Sequence, residues 1–285
     1  LPLQSLQAYR QRTFRSAEGL RLRSIDEAVR FVEERGYIFF WPNRDLVFPS
    51  LWAAAAGDRP VPDEHDDPGH ITWDWKDSLL GKKRWYYARV IRRRNTIISL
   101  ETAPYFYAIS ENYGSPEEDY LDQYRRGRLT QEAKSVYEAL LREGPLDTIA
   151  LRRAAHLANQ GNQGRFARAL DDLQIDLKIL PVGVSDAGAW HYAFIYDLTT
   201  RHFPDLPDQA RGISEPAARD RLAELFWKSL GAATFAQFCK AFGWGTEMSQ
   251  RVVDRLISRG FLVHGIDVEG FSGEAFALPG LLSVD

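Results

Sequence analysis

The sequence predicts an α+β chain of tandem winged helix-turn-helix domains, three in number, spanning residues 1–128, 129–210 and 211–285. Two observations carry that expectation. The segment "LLREGPLDTIALRRAAHLANQGNQGRFARALDDLQIDLKILPVG" lies over "FWKSLGAATFAQFCKAFGWGTEMSQRVVDRLISRGFLVHGIDVEG" with almost no gaps. Each copy runs helix, glycine, helix, polar turn, helix, strand, and three helices followed by a two-stranded wing are the winged form of the helix-turn-helix. The aromatic N-terminal part begins with an amphipathic helix followed by a short strand.

The elements follow from local patterns. In "SIDEAVRFVEERG" Ser24 caps a helix, Glu27 takes the capping-box position, Ile25, Ala28, Val29 and Val32 share a face, and Gly36 ends it. "YIFFW" has strand propensity until Pro42 forbids an interior strand. "SLWAAAAG" reads as a second helix ending at Gly57, and "DRPVPDEHDDPGH" as loop. "ITWDWKDSLLGKKRWYYARVIRRRNTIISLE" begins as helix and finishes as the strand "TIISL". In the first repeat copy, helices are expected at 131–142, 148–157 and 163–173, then the strands "DLKILPVGV" and "AWHYAFIYDL". In the second they fall at 215–229, 234–242 and 246–258, followed by "FLVHGIDVEG" and "GEAFALPG".

Composition narrows the function classes. At 285 residues and 45% hydrophobic content the chain can bury a core and divide into two or three units. Its longest apolar stretch is too short to cross a bilayer and the N-terminus lacks a signal-peptide pattern, so a cytoplasmic protein without membrane contact is expected. One cysteine, Cys239, excludes an internal disulfide and a multi-thiolate zinc site, and its apolar neighbours favour a buried thiol. A net charge of −3 means that any nucleic-acid surface must be local.

Two stretches supply such a surface. The third-helix turn of the first copy, "NQGNQGRFAR", offers Asn159, Gln160, Asn162, Gln163, Arg165 and Arg168, whose amides and guanidinium groups can bond bases bidentately. Its counterpart, with Thr246, Ser249, Gln250 and Arg251, is diluted by Glu247 and reads as a packing module. In "KKRWYYARVIRRR", Lys82, Lys83, Arg84, Arg89, Arg92, Arg93 and Arg94 interleave with Trp85, Tyr86 and Tyr87, which suits a groove that neutralises phosphates and stacks an unpaired base. The plainer reading is a helical scaffold with solvated polar turns and a basic run whose aromatics enter the core. A third constellation, "DEHDDPGH", gathers Asp63, Glu64, His65, Asp66, Asp67 and His70. Carboxylates with imidazoles can ligate a metal, but the flanking prolines and glycine make turns and caps the more economical reading. With no Gly-rich phosphate loop, nucleophile elbow or helical zinc motif, no cofactor or metal is expected.

The segments "SEPAARDRLAELFWKSLGAATFAQFCKAFGW", "RRRNTIISL" and the helix ending "RGYIFFWP" resemble the winged-helix DNA glycosylases of the AlkZ and YcaQ type over most of the chain. That resemblance implies three tandem winged helices around a basic channel for double-stranded DNA, and metal-free excision of alkylated or crosslinked bases. In that family the strand after the first helix carries Gln-x-Gln or Gln-x-Asp, which holds the hydrolytic water. Here Phe39 and Trp41 occupy those two places, and Ile98 stands where many relatives have histidine. Neither aromatic can activate water as an amide or carboxylate does, so both become base-stacking candidates and any chemistry moves to groups such as Asp45, Glu64, Asp66 or Asp74. The expected function is therefore glycosylase-like recognition of damaged or modified DNA. The alternatives are a non-catalytic transcription or repair accessory factor, and a metal-dependent hydrolase using residues 63–70.

Overall fold

The computed structural model describes residues 1–282 except His65, Ala189 and the side chain of Gln160. Along the chain come α1 (Leu3–Thr13), α2 (Ile25–Arg35), β1 (Tyr37–Phe39), α3 (Leu51–Ala56) and α4 (Ile71–Leu79). A hairpin of β2 (Tyr86–Ile91) and β3 (Arg94–Ile98) follows, then α5 (Ala103–Ala108), α6 (Asp119–Arg125), α7 (Gln131–Glu143) and β4 (Leu146–Asp147). Next are α8 (Thr148–Ala154), α9 (Gln163–Ile175), β5 (Ile179–Ser185), β6 (Ala193–Leu198), α10 (Thr199–His202) and α11 (Leu206–Arg211). The chain closes with α12 (Glu215–Leu230), β7 (Ala232–Thr234), α13 (Phe235–Phe242), α14 (Thr246–Ser258), β8 (Val263–Ile266) and β9 (Ala275–Ala277).

The fold is mixed α and β, with small antiparallel sheets. Their strand orders are β1-β3-β2, β4-β6-β5 and β7-β9-β8. From 131 to 198 and again from 215 to 277 the elements run helix, short strand, helix, helix, strand, strand, so the sequence repeat is also a repeat of connectivity. The short first strands β4 and β7, of two and three residues, are not foreseen in the sequence. Leu146 pairs with Tyr196 and Ala232 with Ala277, each placing the first strand beside the last.

Local chemistry sets the boundaries. Ser24 Oγ accepts from the Glu27 N–H, while the Glu27 carboxylate reaches back to the Arg23 N–H at 2.6 Å, one residue beyond a regular capping box. Thr234 and Gln237 form the full box on α13. Asp147 Oδ1 accepts from both Ile149 and Ala150 at the start of α8, at 2.8 and 2.9 Å. That helix stops at Ala154, three residues before the expected end, because Ala155 and His156 turn away and His156 adopts a φ of 58°.

The chain divides into two compact units. The first comprises Leu1–Asp74, Ile97–Ser99 and Pro216–Asp285. The expected segment 211–285 thus groups, from Pro216 onward, with the N-terminal residues. Helix α1 clasps the C-terminal residues of this unit. Tyr9 Oη donates to the Lys228 carbonyl at 2.8 Å, the Arg10 guanidinium donates to the Leu230 and Ala232 carbonyls, and Thr13 Oγ1 donates to Ser229 O at 2.7 Å. An aromatic core lies behind them: Tyr37 stacks on Phe48 at 5.1 Å, Phe48 on Phe226 at 5.9 Å, and Trp227 lies 4.5 Å from Phe238. Buried rings of this size stabilise a fold by about 1.5–3 kcal/mol each.

The second unit comprises Trp75–Thr96 and Leu100–Glu215 and holds the whole expected segment 129–210. Val136, Leu140, Leu151, Phe166, Leu173 and Tyr196 form its core, which fixes α9 with its polar face outward. Lys76, almost fully buried, is neutralised by Asp77 at 2.9 Å, hydrogen-bonds Tyr192 and sits over the Tyr87 and Phe194 rings. Gly81, at a φ of +74°, brings its backbone so close to the Val182 carbonyl that a Cβ would lie 2.5 Å from it. Among the described residues no helix is long and apolar enough to cross a membrane. Cys239 is partly exposed, contrary to the expectation from its neighbours, because only Phe238 and Ala241 of α13 are buried.

Candidate nucleic-acid interface and aromatic pocket

The basic run folds as a loop and a hairpin. Its aromatics are core: Trp85, Tyr86 and Tyr87 are 3% exposed or less, so no base can stack on them. The cations stay outside. Lys82, Lys83 and Arg84 lie in the exposed connection before β2, and Arg92 and Arg93 form the two-residue turn between β2 and β3. Both turn residues have positive φ, 51° and 57°. A two-residue hairpin with a φ above zero at both positions is a turn that favours Asn-Gly, and holding arginine there strains the backbone.

Within this unit the run is tied to α9. Arg89 pairs with Asp171 at 2.7 Å, and its N–H donates to Gln174 Oε1. Arg93 pairs with Asp172 at 2.8 Å. Burial and the neighbouring Asp171 push the Asp172 carboxyl above its usual range, partly offset by Arg93. The guanidinium groups of Arg92 and Arg94 have no partner among the described residues. On the exposed face of α9, Asn162 is half-buried at the N-terminal position, with Gln163, Arg165 and Arg168 exposed behind it. Arg165 makes only a loose contact with Glu132, at 3.4 Å. In the second copy, Arg251 is held by Glu247 at 2.5 Å and Gln250 by Asp254 at 2.8 Å, so both are engaged within their own helix.

The aromatic run beginning at Tyr37 splits in two. Phe39, 2% exposed, packs edge-on against Phe48 at 5.6 Å, and its N–H donates to Pro49 O. Burial leaves Phe39 no open ring face for stacking. Ile98 is also fully buried. The strand ends at Phe39, and two residues later Trp41 is half-exposed in the wall of a concave pocket of about 720 Å³. Trp41 meets Trp73 at 5.8 Å and His70 at 6.1 Å, both edge-on. Asp63, Asp66, Asp67 and Asp74 complete the polar lining, whereas Asp45 and Glu64 lie outside it.

One of those carboxylates is structural. Asp67 accepts from the Gly69 N–H at 2.7 Å and pairs with Arg59 at 2.6 Å, so the Arg59 hydrogen bond holds its carboxyl below the usual range. Gly69 packs so tightly that a Cβ there would lie 2.7 Å from the Ala56 Cβ. This turn aims His70 and Trp73 into the pocket. Asp63, Asp66 and Asp74 have no partner among the described residues, and His70 Nδ1 is shut off from solvent without a hydrogen bond. His65 lies outside the described residues, and among those described no group of three or more His, Cys, Asp or Glu is placed to hold a metal. The sequence pointed to Trp41 but not to Trp73, which α4 brings alongside it from beyond α3.

Residues 22–243 match the family described as "AlkZ related". The chain belongs to that family. The fold is also similar to that of the DNA glycosylase AlkZ of Streptomyces sahachiroi, with a TM-score of 0.62 at 15% identity, covering 100% of this chain and 73% of the other. No curated protein matches the chain in sequence. The two positions expected to hold a water-holding pair, Phe39 and Trp41, are one buried and one pocket-lining aromatic.

Proposed function

We propose that this AlkZ-related chain binds double-stranded DNA and recognises a damaged or modified base, with its repeats acting as winged helices. The phosphate contacts are assigned to Lys82, Lys83, Arg84, Arg92, Arg93 and Arg94, and the contacts at base edges to Asn162, Gln163, Arg165 and Arg168. Cations neutralise phosphates with release of counterions, while amides and guanidinium groups read donor and acceptor patterns. The observation that carries the base-recognition reading is the position of Trp41, which stands at one of the family's two catalytic places and walls a pocket with Trp73 and unpaired carboxylates.

The chemistry of that pocket selects what can enter. Four aspartates repel a phosphate, whereas two indole rings offer faces to a flat, extruded base. Cleavage of an N-glycosidic bond builds positive charge on the sugar, as glycoside hydrolysis does, and a carboxylate stabilises that charge and can accept a proton from water. Asp66 and Asp74 are assigned this role, because Asp67 is committed to Arg59 and Gly69. A second reading, recognition without excision, is favoured by the replacement of the water-holding pair by Phe39 and Trp41. A panel of duplexes carrying bulged, abasic and modified positions, assayed for binding and for released base, tests both. Preference for the altered duplexes that disappears in Trp41→Ala supports recognition, and base release abolished by Asp66→Asn or Asp74→Asn adds the chemistry. Equal binding to intact and altered duplexes by the wild type refutes the pocket assignment.

A further inference from the structure

The second unit contains a separate cavity of about 240 Å³ whose lining, Lys83 apart, has no role assigned above. Its floor is apolar: Tyr86, Leu100, Ala103, Phe203 and Leu206. Tyr86 lies fully buried within that floor, its Oη engaged with Thr199 Oγ1 at 3.1 Å and its ring 5.9 Å from that of Phe203, the ring that borders the cavity. Four polar side chains converge on this floor, Lys83, His202, Asp205 and Gln209, and none has a side-chain hydrogen bond or ion pair among the described residues. An apolar concavity ringed by a few convergent polar groups is the usual form of a small-molecule site.

The polar groups fall into two pairs. Burial, and then the nearby Lys83 ammonium, depress the imidazole pKa of His202, partly offset by Asp197, so Lys83 carries the positive charge and His202 offers a neutral ring N–H beside it. Asp205 and Gln209 lie one turn apart at the start of α11, where the Gln209 N–H donates to the Asp205 carbonyl. A carboxylate acceptor beside an amide that both donates and accepts can pair with the edge of a nucleobase. Lys83 is held there at a φ of 54°, a backbone region that costs a non-glycine residue free energy.

We propose that this cavity binds a nucleoside monophosphate unit. The base lies against the partly exposed Phe203 ring with its edge on Asp205 and Gln209, and the phosphate lies at the rim on Lys83 and His202. A volume below that of most drug-sized sites suits a ligand of this size with its phosphate outside. The unit can come from a free nucleotide or from one nucleotide of a DNA strand. The site is independent of the Trp41 pocket and stands or falls separately from it.

The test is calorimetric titration of the full chain with dAMP, dGMP, dCMP and dTMP and with the matching nucleosides. Saturable binding of one nucleotide per chain is expected, weaker for the nucleoside by about tenfold or more, because the phosphate adds charge-assisted contacts. Lys83→Ala should bring nucleotide and nucleoside to equal affinity. Gln209→Leu should level the affinities of the four bases, and both variants, altered at exposed side chains, should melt like the wild type. Displacement of the bound nucleotide by duplex DNA identifies a strand as the source, and its absence identifies a free nucleotide. Failure of every mononucleotide to saturate the wild type, or binding unchanged by both variants, overturns the proposal.

Discussion

Replacing Arg92 and Arg93 by Asn and Gly separates the stability of the β2–β3 hairpin from its proposed contact with DNA. Both arginines occupy left-handed backbone, with φ values of 51° and 57°, and that conformation costs an L-residue with a side chain roughly 1–2 kcal/mol. Asn-Gly is the pair that such a turn prefers, so most of that strain is relieved. The Arg93–Asp172 ion pair is lost in the exchange. It is half-exposed, and such pairs contribute about 0–1 kcal/mol. The net expectation is a gain of about 1–3 kcal/mol, and a chain of this size melts about 2–4 °C higher per kcal/mol. DNA binding should move the other way, with the slope of log K against log salt becoming shallower by about 1–2 as one or two phosphate contacts disappear. Thermal melting and fluorescence anisotropy between 50 and 200 mM salt, as roughly spanned in such titrations, give both readings. A variant that melts lower than wild type refutes the strain argument, and an unchanged salt slope removes the turn from the interface.

Three further outcomes are expected. Asn162→Ala, Gln163→Ala and Arg165→Ala combined should weaken duplex binding with little change in melting temperature, while Arg251→Ala, already held by Glu247, should change binding far less in the same anisotropy assay. Gly69→Ala should destabilise the protein by about 1–3 kcal/mol in urea denaturation, because its Cβ would meet that of Ala56, and should abolish the lesion preference of the Trp41 pocket. Lys178, buried and bonded to Asn112 at 2.5 Å, has its pKa lowered by burial to about 8. The unfolded chain holds that proton until about 10.4, so above the folded value it binds more protons than the native state and Lys178 makes stability rise as the pH increases from about 8 to 9.5. Melting curves of Lys178→Met across that window should lack this contribution.

The regular helices were legible because their signals are local. The Thr246–Ser258 helix matches its expected bounds, with Val252, Val253 and Leu256 on one face, and Ser24, Thr234 and the glycine stops mark termini through hydrogen bonds made within four residues. The two- and three-residue strands β4 and β7 were not legible, since each is defined by a partner more than forty residues away. Trp85, Tyr86 and Tyr87 were open to two readings, because a strand buried on both faces carries no alternation to separate core from surface. Of the candidate site, Trp41 and the acid and histidine segment holding His70 stood out in the sequence, but Trp73 and the cavity joining Lys83 to His202 depend on tertiary packing, and no spacing rule links residues 83 and 202.

The clasp of α1 on the carbonyls of residues 228–232 governs when the protein can finish folding. Tyr9, Arg10 and Thr13 of α1 find carbonyl partners in residues 228–232, while the second unit is synthesised between the two segments. At about 5–20 residues per second, a ribosome takes on the order of ten seconds to pass from Trp75 to Glu215. Throughout that interval Leu6, Tyr37 and Phe48 lack the aromatic and carbonyl surfaces that later cover them. Translation therefore completes the inserted unit first and leaves the N-terminal aromatics waiting, an interval in which a chaperone that holds exposed apolar segments would meet this chain.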